Sequence, residues 1–155
     1  MTILCKQLMN VIDDKRYIQD IICLWNDNCL ETAECELEQS ERLNVQKLVE
    51  QYIQSEFGTV FVVVDKNHDT IGFGTVSMKQ DLVTNTKYGQ IDELYVAPKY
   101  RKQKIGKEIV ENIMEWFAVN HISDMYVHVD LDNHIAQSFW EHVGLEKEFF
   151  VLSSN

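Results

Sequence analysis

The fold is decided by residues 91–106, which read IDELYVAPKYRKQKIG. The first six are rich in β-branched and aromatic residues, and Pro98 cannot continue a sheet ladder, so they predict a strand that ends near Val96. Beyond the turn, apolar residues recur every four positions, which predicts an amphipathic helix of about three to four turns. These residues are Ile105, Ile109, Ile113 and Phe117.

The start of that helix is suited to bind an anion. The first turn of a helix presents unpaired backbone N–H groups and the positive end of the helix dipole. The basic side chains around it are Arg101, Lys102, Lys104 and Lys107. We expect a phosphate group to bind there, and a pyrophosphate suits such a site best.

The rest of the chain is acidic, with a formal net charge of -11 and a sequence pI near 4.8. This charge argues against nonspecific binding to nucleic acid. The 155 residues suffice for a hydrophobic core without disulfide bonds, and we expect a single domain over residues 1–155. No apolar run is long enough to span a bilayer, and Met1–Asn10 lacks the layout of a signal peptide. The sequence therefore predicts a cytoplasmic protein with no membrane partner.

The cysteines and histidines show no metal-binding pattern. The last three of the four cysteines are six residues apart, which fits neither a zinc knuckle nor one helix face. The five histidines lack the HxxxH spacing of a metal site. We therefore expect reduced thiols and no structural metal.

Hydrophobic periodicity and turn residues predict an α/β domain with the element order β-α-α-β-β-β-α-β-α-β. The first helix is expected to start at Asp13–Asp14 and to end before Glu31, and the second to be capped by Ser40 and to end near Gly58. The helix after residue 104 makes the next strand a parallel neighbour of the previous one, by right-handed crossover. A final strand is expected over Glu148–Leu152.

Two separated motifs resemble those of the GCN5-related N-acetyltransferase (GNAT) superfamily. The first, V-x-P-x-x-R-x-x-G-x-G, is matched by Val96, Pro98, Arg101 and Gly106. The second, N-x-x-A-x-x-F-Y-x-x-x-G-F, is matched by Asn133, Ala136, Phe139 and Gly144, with Trp140 and Leu145 replacing Tyr and Phe. The resemblance covers nearly the whole chain and includes some similarity to a strand of aminoglycoside 6'-N-acetyltransferases. It implies a GNAT-like fold with a mixed central sheet of about 6–7 strands and about four helices.

The resemblance also implies acetyl coenzyme A as a co-substrate. Its pyrophosphate would lie beside Arg101 on the backbone of Lys102, Gln103, Lys104, Ile105, Gly106 and Lys107. Its pantetheine arm would lie between two splayed parallel strands, bonded to Leu94, Tyr95 and Val96. The second motif would contribute Asn133, Ala136, Phe139 and Trp140. A backbone N–H of the first strand would polarise the thioester carbonyl, and the amine would attack it directly.

Two positions depart from the family pattern. Lys104 replaces the first glycine of the turn; as the first residue of a helix it is expected in right-handed conformation, where a Cβ costs little. Its side chain would either face the phosphate or be solvated. Trp140 replaces a tyrosine that in many members protonates the leaving thiolate, which an indole cannot do. We expect Trp140 to pack on the pantetheine or in the core.

Three side chains are candidates for the base that takes the proton of the substrate amine. Asp92 and Glu93 are consecutive in a strand, so alternation places them on opposite faces and only one faces the substrate easily. Asp92 is favoured, because it matches a functional aspartate of aminoglycoside 6'-N-acetyltransferases. His128 lies on the second splayed strand, where related enzymes carry a carboxylate, and its imidazole titrates near neutral pH. The alternative for Asp92 and His128 is a structural polar group at a strand end.

The leading hypothesis is an N-acetyltransferase that acts on a primary amine of a small cationic molecule, such as a polyamine or an aminoglycoside. Acidic residues flank the junction of the first two helices, which overhangs the acceptor site in this superfamily. They are Asp27, Glu31, Glu34, Glu36, Glu38 and Glu41. A solvated loop is the alternative explanation of this charge. The alternative functions are acetylation of a peptide or protein amine and a catalytically silent coenzyme-A sensor; a homodimer is also open.

Overall fold

The computed structural model describes residues 2–154; Met1 and Asn155 lie outside the described residues. The elements follow in the order β1 (Ile3–Gln7), α1 (Lys15–Ala33), α2 (Gln39–Gln54), β2 (Gly58–Asp65), β3 (Thr70–Gln80), β4 (Lys87–Val96), α3 (Ile105–Val119), β5 (Met125–Val127) and α4 (His134–Val143). A 3₁₀ turn at Pro98–Tyr100 lies between β4 and α3. The predicted order is confirmed as far as α4.

The strands form one mixed sheet in the order β1-β2-β3-β4-β5. The first four strands pair antiparallel, and β4 pairs with β5 in parallel. The parallel pair is connected through α3, as the crossover rule predicts. The tight turn between β2 and β3 is held by Asp65, whose carboxylate accepts the backbone N–H groups of Asn67 at 2.9 Å and Asp69 at 3.0 Å.

Helices cover both faces of the sheet and create two hydrophobic cores. We call the face under α1 and α2 face A, and the face under α3 and α4 face B. Face A buries Val62 and Phe73 with the helices above it, and face B buries Val63 and Ile91. The predicted apolar stripe of α3 is confirmed, because each of its four residues is at most 2% exposed. Gly74 permits the close approach of α3, since a Cβ there would lie 3.0 Å from Ile109.

Two predicted helix boundaries were wrong for local reasons. α1 continues through Glu31 and stops at Glu34, which adopts the left-handed conformation with φ of 58°. α2 is capped by Glu38 rather than Ser40. The side chains of Glu38 and Glu41 bond each other's backbone N–H groups in a capping box, which satisfies two donors where a serine satisfies one. Among residues 2–154, no helix combines the length and apolar composition of a membrane span.

The predicted last strand does not form, so the sheet has five strands rather than six or seven. Residues 149–152 carry apolar side chains, but residues 148–152 have no ladder partner among the described residues. β5 offers only a three-residue edge, and Phe149 meets it through its ring, 5.9 Å from that of Tyr126. High β-propensity alone does not make a strand without a paired edge.

Candidate active site

β4 and β5 run side by side for three residue pairs and then separate. The pairs are Gly89–Met125, Gln90–Tyr126 and Ile91–Val127. β4 continues to Val96 alongside β3 alone, so residues 92–96 have one backbone edge with no partner strand among the described residues. This separation is the splayed arrangement that the resemblance implies, and it opens a cleft between β4 and the segment after β5.

The register determines which backbone groups of β4 face the cleft. The N–H of Ala97 donates to the carbonyl of Ile71 on β3 at 2.8 Å. Bonded and non-bonded positions alternate in an antiparallel pair, so Tyr95 also bonds β3, whereas Leu94 and Val96 direct their backbone groups away from it. Leu94 and Val96 therefore direct their backbone groups toward the cleft, where Arg101 bonds the carbonyl of Val96, and the backbone of Tyr95 belongs to the ladder.

The basic turn, residues 97–104, joins β4 to α3. Lys102 and Lys104 adopt the left-handed conformation, with φ of 62° and 66°. The expectation of a right-handed Lys104 was therefore wrong: this residue is the N-cap, outside the helix, and takes the conformation that favours glycine. Left-handed residues in such a turn direct backbone N–H groups into an anion-binding concavity. Lys102, Gln103, Lys104 and Lys107 are exposed, whereas the side chain of Ile105 is buried in the core.

Arg101 connects the basic turn to α1. Its Nε donates to the carbonyl of Val96 at 2.9 Å, and its Nη2 lies 3.0 Å from both carboxylate oxygens of Glu31. The hydroxyl of Tyr95 donates to the same carboxylate at 2.5 Å. Burial opposes ionisation of Glu31, but the bonds from Tyr95 and Arg101 prevail and lower its pKa. Glu31 is thus paired with the basic turn.

α4 closes the other side of the turn. Asn133 is its N-cap and accepts the backbone N–H of Ala136 at 3.1 Å, and Gly144 ends the helix with φ of 108°. Phe139 packs on the first turn of α3, because a Cβ on Gly106 would lie 3.0 Å from its ring. Trp140 is 7% exposed and meets Phe139 edge-on, with ring centres 5.0 Å apart. The indole is therefore a core side chain.

Asp92 occupies a β-bulge that changes the expected geometry of the two carboxylates. Thr75 of β3 pairs with Glu93 and the next residue pairs with Ile91, so Asp92 is the extra residue. Ile91 and Leu94 both pack on face B although they are three residues apart, which shows that the bulge breaks the alternation. Asp92 bonds Tyr52 of α2, the helix that packs on face A. Glu93 lies two residues before Tyr95, whose side chain is buried on face A, so the two side chains point the same way. Both carboxylates therefore point to face A. The prediction of opposite faces was wrong.

The two carboxylates have different environments. The hydroxyl of Tyr52 on α2 donates to Asp92 Oδ2 at 2.6 Å, and Nε2 of Gln90 donates to Asp92 Oδ1 at 2.9 Å. Burial and the bond to Asp92 raise the pKa of Tyr52. Glu93 makes no hydrogen bond or ion pair within residues 2–154, and burial together with the charge of Asp92 raises its pKa.

His128 is the first residue after β5. Its neighbours Val127 and Val129 pack on face B, so alternation directs the imidazole to face A. It is exposed and has no hydrogen bond or ion pair in the described part of the chain. Because Ile91–Val127 is the last pair before the strands separate, Asp92 and His128 flank the opening of the cleft.

The site contains residues that sequence reasoning missed. Tyr52 lies 40 residues from Asp92 in the chain, and no local pattern connects them. Gln90 is two residues from Asp92 on one face of a strand, and this spacing was an available signal. The ring of Tyr126 contacts Tyr88 at 5.6 Å and Phe149 at 5.9 Å, so an aromatic cluster adjoins the carboxylates on face A.

The sequence profile of the acetyltransferase (GNAT) family matches residues 22–145. The chain belongs to this family. Its fold and its two motifs therefore agree with an independent match over most of the sequence. No curated protein matches this GNAT protein.

Solved structures with the same fold include two aminoglycoside acetyltransferases. AAC(6')-Iy, in complex with the bisubstrate analogue CoA-S-monomethyl-acetylneamine, gives a TM-score of 0.79 at 18% identity, over 100% of this chain and 98% of that one. AAC(6')-Ih from Acinetobacter baumannii gives 0.77 at 16% identity, over 99% and 97%. A transcriptional regulator from Bacillus halodurans C-125 gives 0.82 at 14% identity, over 99% of both chains. At these identities the likeness shows the fold of this GNAT protein alone.

Proposed function

We propose that this GNAT protein transfers an acetyl group from acetyl-CoA to a primary amine of a small cationic molecule. The observation that carries the proposal is the position of the β4–β5 separation between two environments of opposite charge. A basic turn at a helix start lies at one end of β4, and two carboxylates on face A lie at the bulge. The first suits the phosphates of a coenzyme and the second suits an ammonium group.

The cofactor side fits coenzyme A through backbone groups more than through side chains. Leu94 and Val96 direct amides into the cleft, where they would bond the pantetheine amides as a strand would. The turn from Lys102 to Lys107 would hold the pyrophosphate, with Arg101 beside it. Bound acetyl-CoA would supply a thioester whose carbonyl carbon accepts the amine. An unpaired N–H of β4 would stabilise the charge that develops on the carbonyl oxygen.

The acceptor side favours a cation. Asp92 and Glu93 are partly buried on face A, and no lysine or arginine pairs with either among residues 2–154. His128 flanks the same opening and is exposed. The fold shared with AAC(6')-Iy and AAC(6')-Ih, which are described as aminoglycoside acetyltransferases, supports a small amine as acceptor.

A coenzyme-A-binding regulator is the second candidate. Two observations favour it: Trp140 occupies the tyrosine position and is buried, and one structure of the same fold is a transcriptional regulator. Such a protein would use the same cleft for coenzyme A and would leave its acetyl group untransferred.

Calorimetric titration with acetyl-CoA and a thiol-release assay with spermidine and neamine test the two candidates together. We expect wild-type protein to bind acetyl-CoA and to release thiol with at least one amine. Arg101→Ala should weaken acetyl-CoA binding about 10-fold to 100-fold, the range for lost charge-assisted hydrogen bonds. Lys79→Ala, at an exposed position of β3, is the matched control. Binding without thiol release would favour the regulator, and failure to bind would contradict both candidates.

A further inference from the structure

Arg101 directs its guanidinium toward α1 rather than toward the start of α3. Its Nε donates to the carbonyl of Val96 at 2.9 Å, and its Nη2 lies 3.0 Å from both carboxylate oxygens of Glu31 on α1. The guanidinium carbon lies 5.4 Å from the ring centre of Tyr95, which is buried on face A. α3 packs on face B, where its first residue, Ile105, is buried. The guanidinium therefore lies on the face A side, away from the helix start proposed to hold the pyrophosphate.

Glu31 opposes the binding of an anion at the basic turn. Its carboxylate neutralises the guanidinium charge and holds Nη2 of Arg101 at 3.0 Å. A guanidinium forms the same paired hydrogen bonds with a phosphate as with a carboxylate, so the two anions compete for Arg101. Both side chains reach solvent, where an ion pair is weak, and a pyrophosphate carries more negative charge than one carboxylate. Coenzyme A can therefore displace Glu31 from Arg101.

Glu31 also adjoins the carboxylates proposed to attract the acceptor. It accepts the hydroxyl of Tyr95 at 2.5 Å, and Tyr95 lies two residues after Glu93 on the same face of β4. Two residues of a strand span roughly 7 Å. Burial raises the pKa of the Cys29 thiol, and the charge of Glu93 adds to this shift, so the last turns of α1 lie close to that carboxylate. A Glu31 carboxylate without its arginine would thus add a negative charge beside the proposed acceptor side.

We propose that Glu31 is a binding residue for the cationic acceptor, and that Arg101 occupies its place until coenzyme A binds. This inference rests on the proposed function. Arg101 belongs to the basic turn itself, so rotation of its side chain brings the guanidinium from Glu31 to the pyrophosphate. A substrate ammonium then takes the position beside Glu31 that the guanidinium has left. Each side chain exchanges one partner of opposite charge for another, so neither charge is left unpaired when both substrates are bound.

The exchange makes the two substrates raise each other's affinity. Coenzyme A frees the carboxylate of Glu31 for the ammonium, and the ammonium neutralises the carboxylate that competes with the pyrophosphate for Arg101. Coupling between two ligands is reciprocal, so each raises the affinity of the other by the same factor. We expect a factor of about 5–20, in the lower part of the usual range, because the ion pair that is exchanged reaches solvent.

Calorimetric titrations of the full chain with coenzyme A and with spermidine, alone and together, measure this coupling. Coenzyme A without an acetyl group allows both ligands to bind without turnover. Wild-type protein saturated with coenzyme A should bind spermidine about 5–20-fold more tightly than the free protein. Physiological salt limits direct attraction between the two ligands, since exposed charges more than ~8 Å apart are largely screened. Neamine serves as a second cationic probe.

Two substitutions should shift the two affinities in opposite directions. Glu31→Gln should bind coenzyme A about 2–5-fold more tightly and spermidine more weakly, because Arg101 is released and the carboxylate is lost. Arg101→Ala should bind coenzyme A more weakly and spermidine about 2–5-fold more tightly, because Glu31 is freed. In both variants the coupling should fall to about twofold or less. Glu115→Gln removes the same charge from an exposed position of α3 and should keep the wild-type coupling.

Thermal unfolding shows whether each variant is folded, and Glu31→Gln keeps an acceptor for the hydroxyl of Tyr95. If Glu31→Gln binds coenzyme A more weakly than wild type, the exchange is overturned, because Glu31 then positions Arg101 for the phosphate. Coupling that is unchanged in both variants would also overturn it. A wild-type protein that acetylates spermidine or neamine and shows no coupling would overturn this inference alone. A protein that binds neither coenzyme A nor an amine would contradict the proposed function as well.

Discussion

The two sides of the cleft are built by different means. The proposed cofactor side consists of consecutive residues, from Leu94 through the basic turn to Gly106, and would bind its ligand through the backbone. The proposed acceptor side consists of side chains from α2, β3, β4 and the segment after β5, and would act through a bulge, a tyrosine and two carboxylates. Backbone sites need particular local conformations and leave motifs, whereas side-chain sites need distant residues to meet and leave few.

The two sides are joined through Glu31. This residue of α1, 70 positions before Arg101, bonds both Arg101 and Tyr95. The helix that overhangs the acceptor side is thereby tied to the turn expected to hold the pyrophosphate. We therefore first consider how much residues of the proposed cofactor side contribute to the stability of the fold.

The largest effect is expected at Trp140. Trp140→Ala should destabilise the fold by about 3–5 kcal/mol, the usual cost of removing a buried aromatic side chain. The measurement is the free energy of unfolding in urea. Phe150→Ala removes an aromatic ring that is 86% exposed and should change stability by less than about 0.5 kcal/mol. Equal costs at the two positions would contradict the placement of Trp140 in the core of the cofactor side.

A smaller effect of opposite sign is expected at Lys104. Glycine tolerates the left-handed conformation at no steric cost, so Lys104→Gly should stabilise the fold by about 1 kcal/mol. Lys107→Gly, in the first turn of α3, should instead destabilise it by about 0.5–1 kcal/mol, because glycine is a poor helix residue. Thermal unfolding of both variants measures the contrast, and a destabilised Lys104→Gly protein would show that the lysine side chain matters more than the backbone.

At the proposed acceptor side, we expect the removal of a carboxylate proposed to serve activity to raise stability rather than lower it. Glu93 has a pKa raised above its usual value of 4.5, so its ionised form disfavours the folded state, and this cost appears as the pH rises through that range. Glu93→Gln should therefore raise Tm by about 1–3 °C at pH 8, as a gain below 1 kcal/mol does in a chain of this size, and leave it unchanged at pH 4. A Tm lowered at pH 8 would mean that Glu93 is a structural carboxylate.

The sequence predicted the elements of the proposed cofactor side because their signals are local. The four-residue repeat predicts α3 and the proline predicts the end of β4, each to within a few residues. The proposed acceptor side was predicted less well, because a bulge places the consecutive side chains of Asp92 and Glu93 on the same face of the sheet. The bulge cannot be recognised from the order of these two residues. Tyr52 and Glu31 meet their partners only after the helices pack on the sheet. Residues 148–152 have the composition of a strand, but the short edge of β5 does not pair with them.

A small coupling is expected between the two sides through Glu31 and Arg101. A double-mutant cycle with Glu31→Gln and Arg101→Ala should give a coupling free energy of about 0.2–1 kcal/mol at pH 7, typical of a partly exposed ion pair. The pKa of Glu31 is lowered in the fold, so its contribution should be present at neutral pH and be lost as the pH falls through that lowered value. A coupling that persists at pH 2 would have to come from the hydrogen bond of Arg101 to a protonated Glu31, because the contact of Arg101 with the ring of Tyr95 cancels in the cycle.

The smallest effect is expected for Trp140→Tyr, which restores the residue typical of the family. A hydroxyl placed in the core beside Phe139 cannot protonate a thiolate unless it reaches the cleft, so turnover in the thiol-release assay should stay within about threefold of wild type. Trp140→Phe is the matched control for lost ring volume, since it differs from the tyrosine variant by one hydroxyl. A tenfold faster Trp140→Tyr enzyme beside an unchanged Trp140→Phe enzyme would show that the hydroxyl reaches the sulfur. The cofactor side would then limit the rate through proton supply, and the division of tasks between the two sides would have to include thiolate protonation.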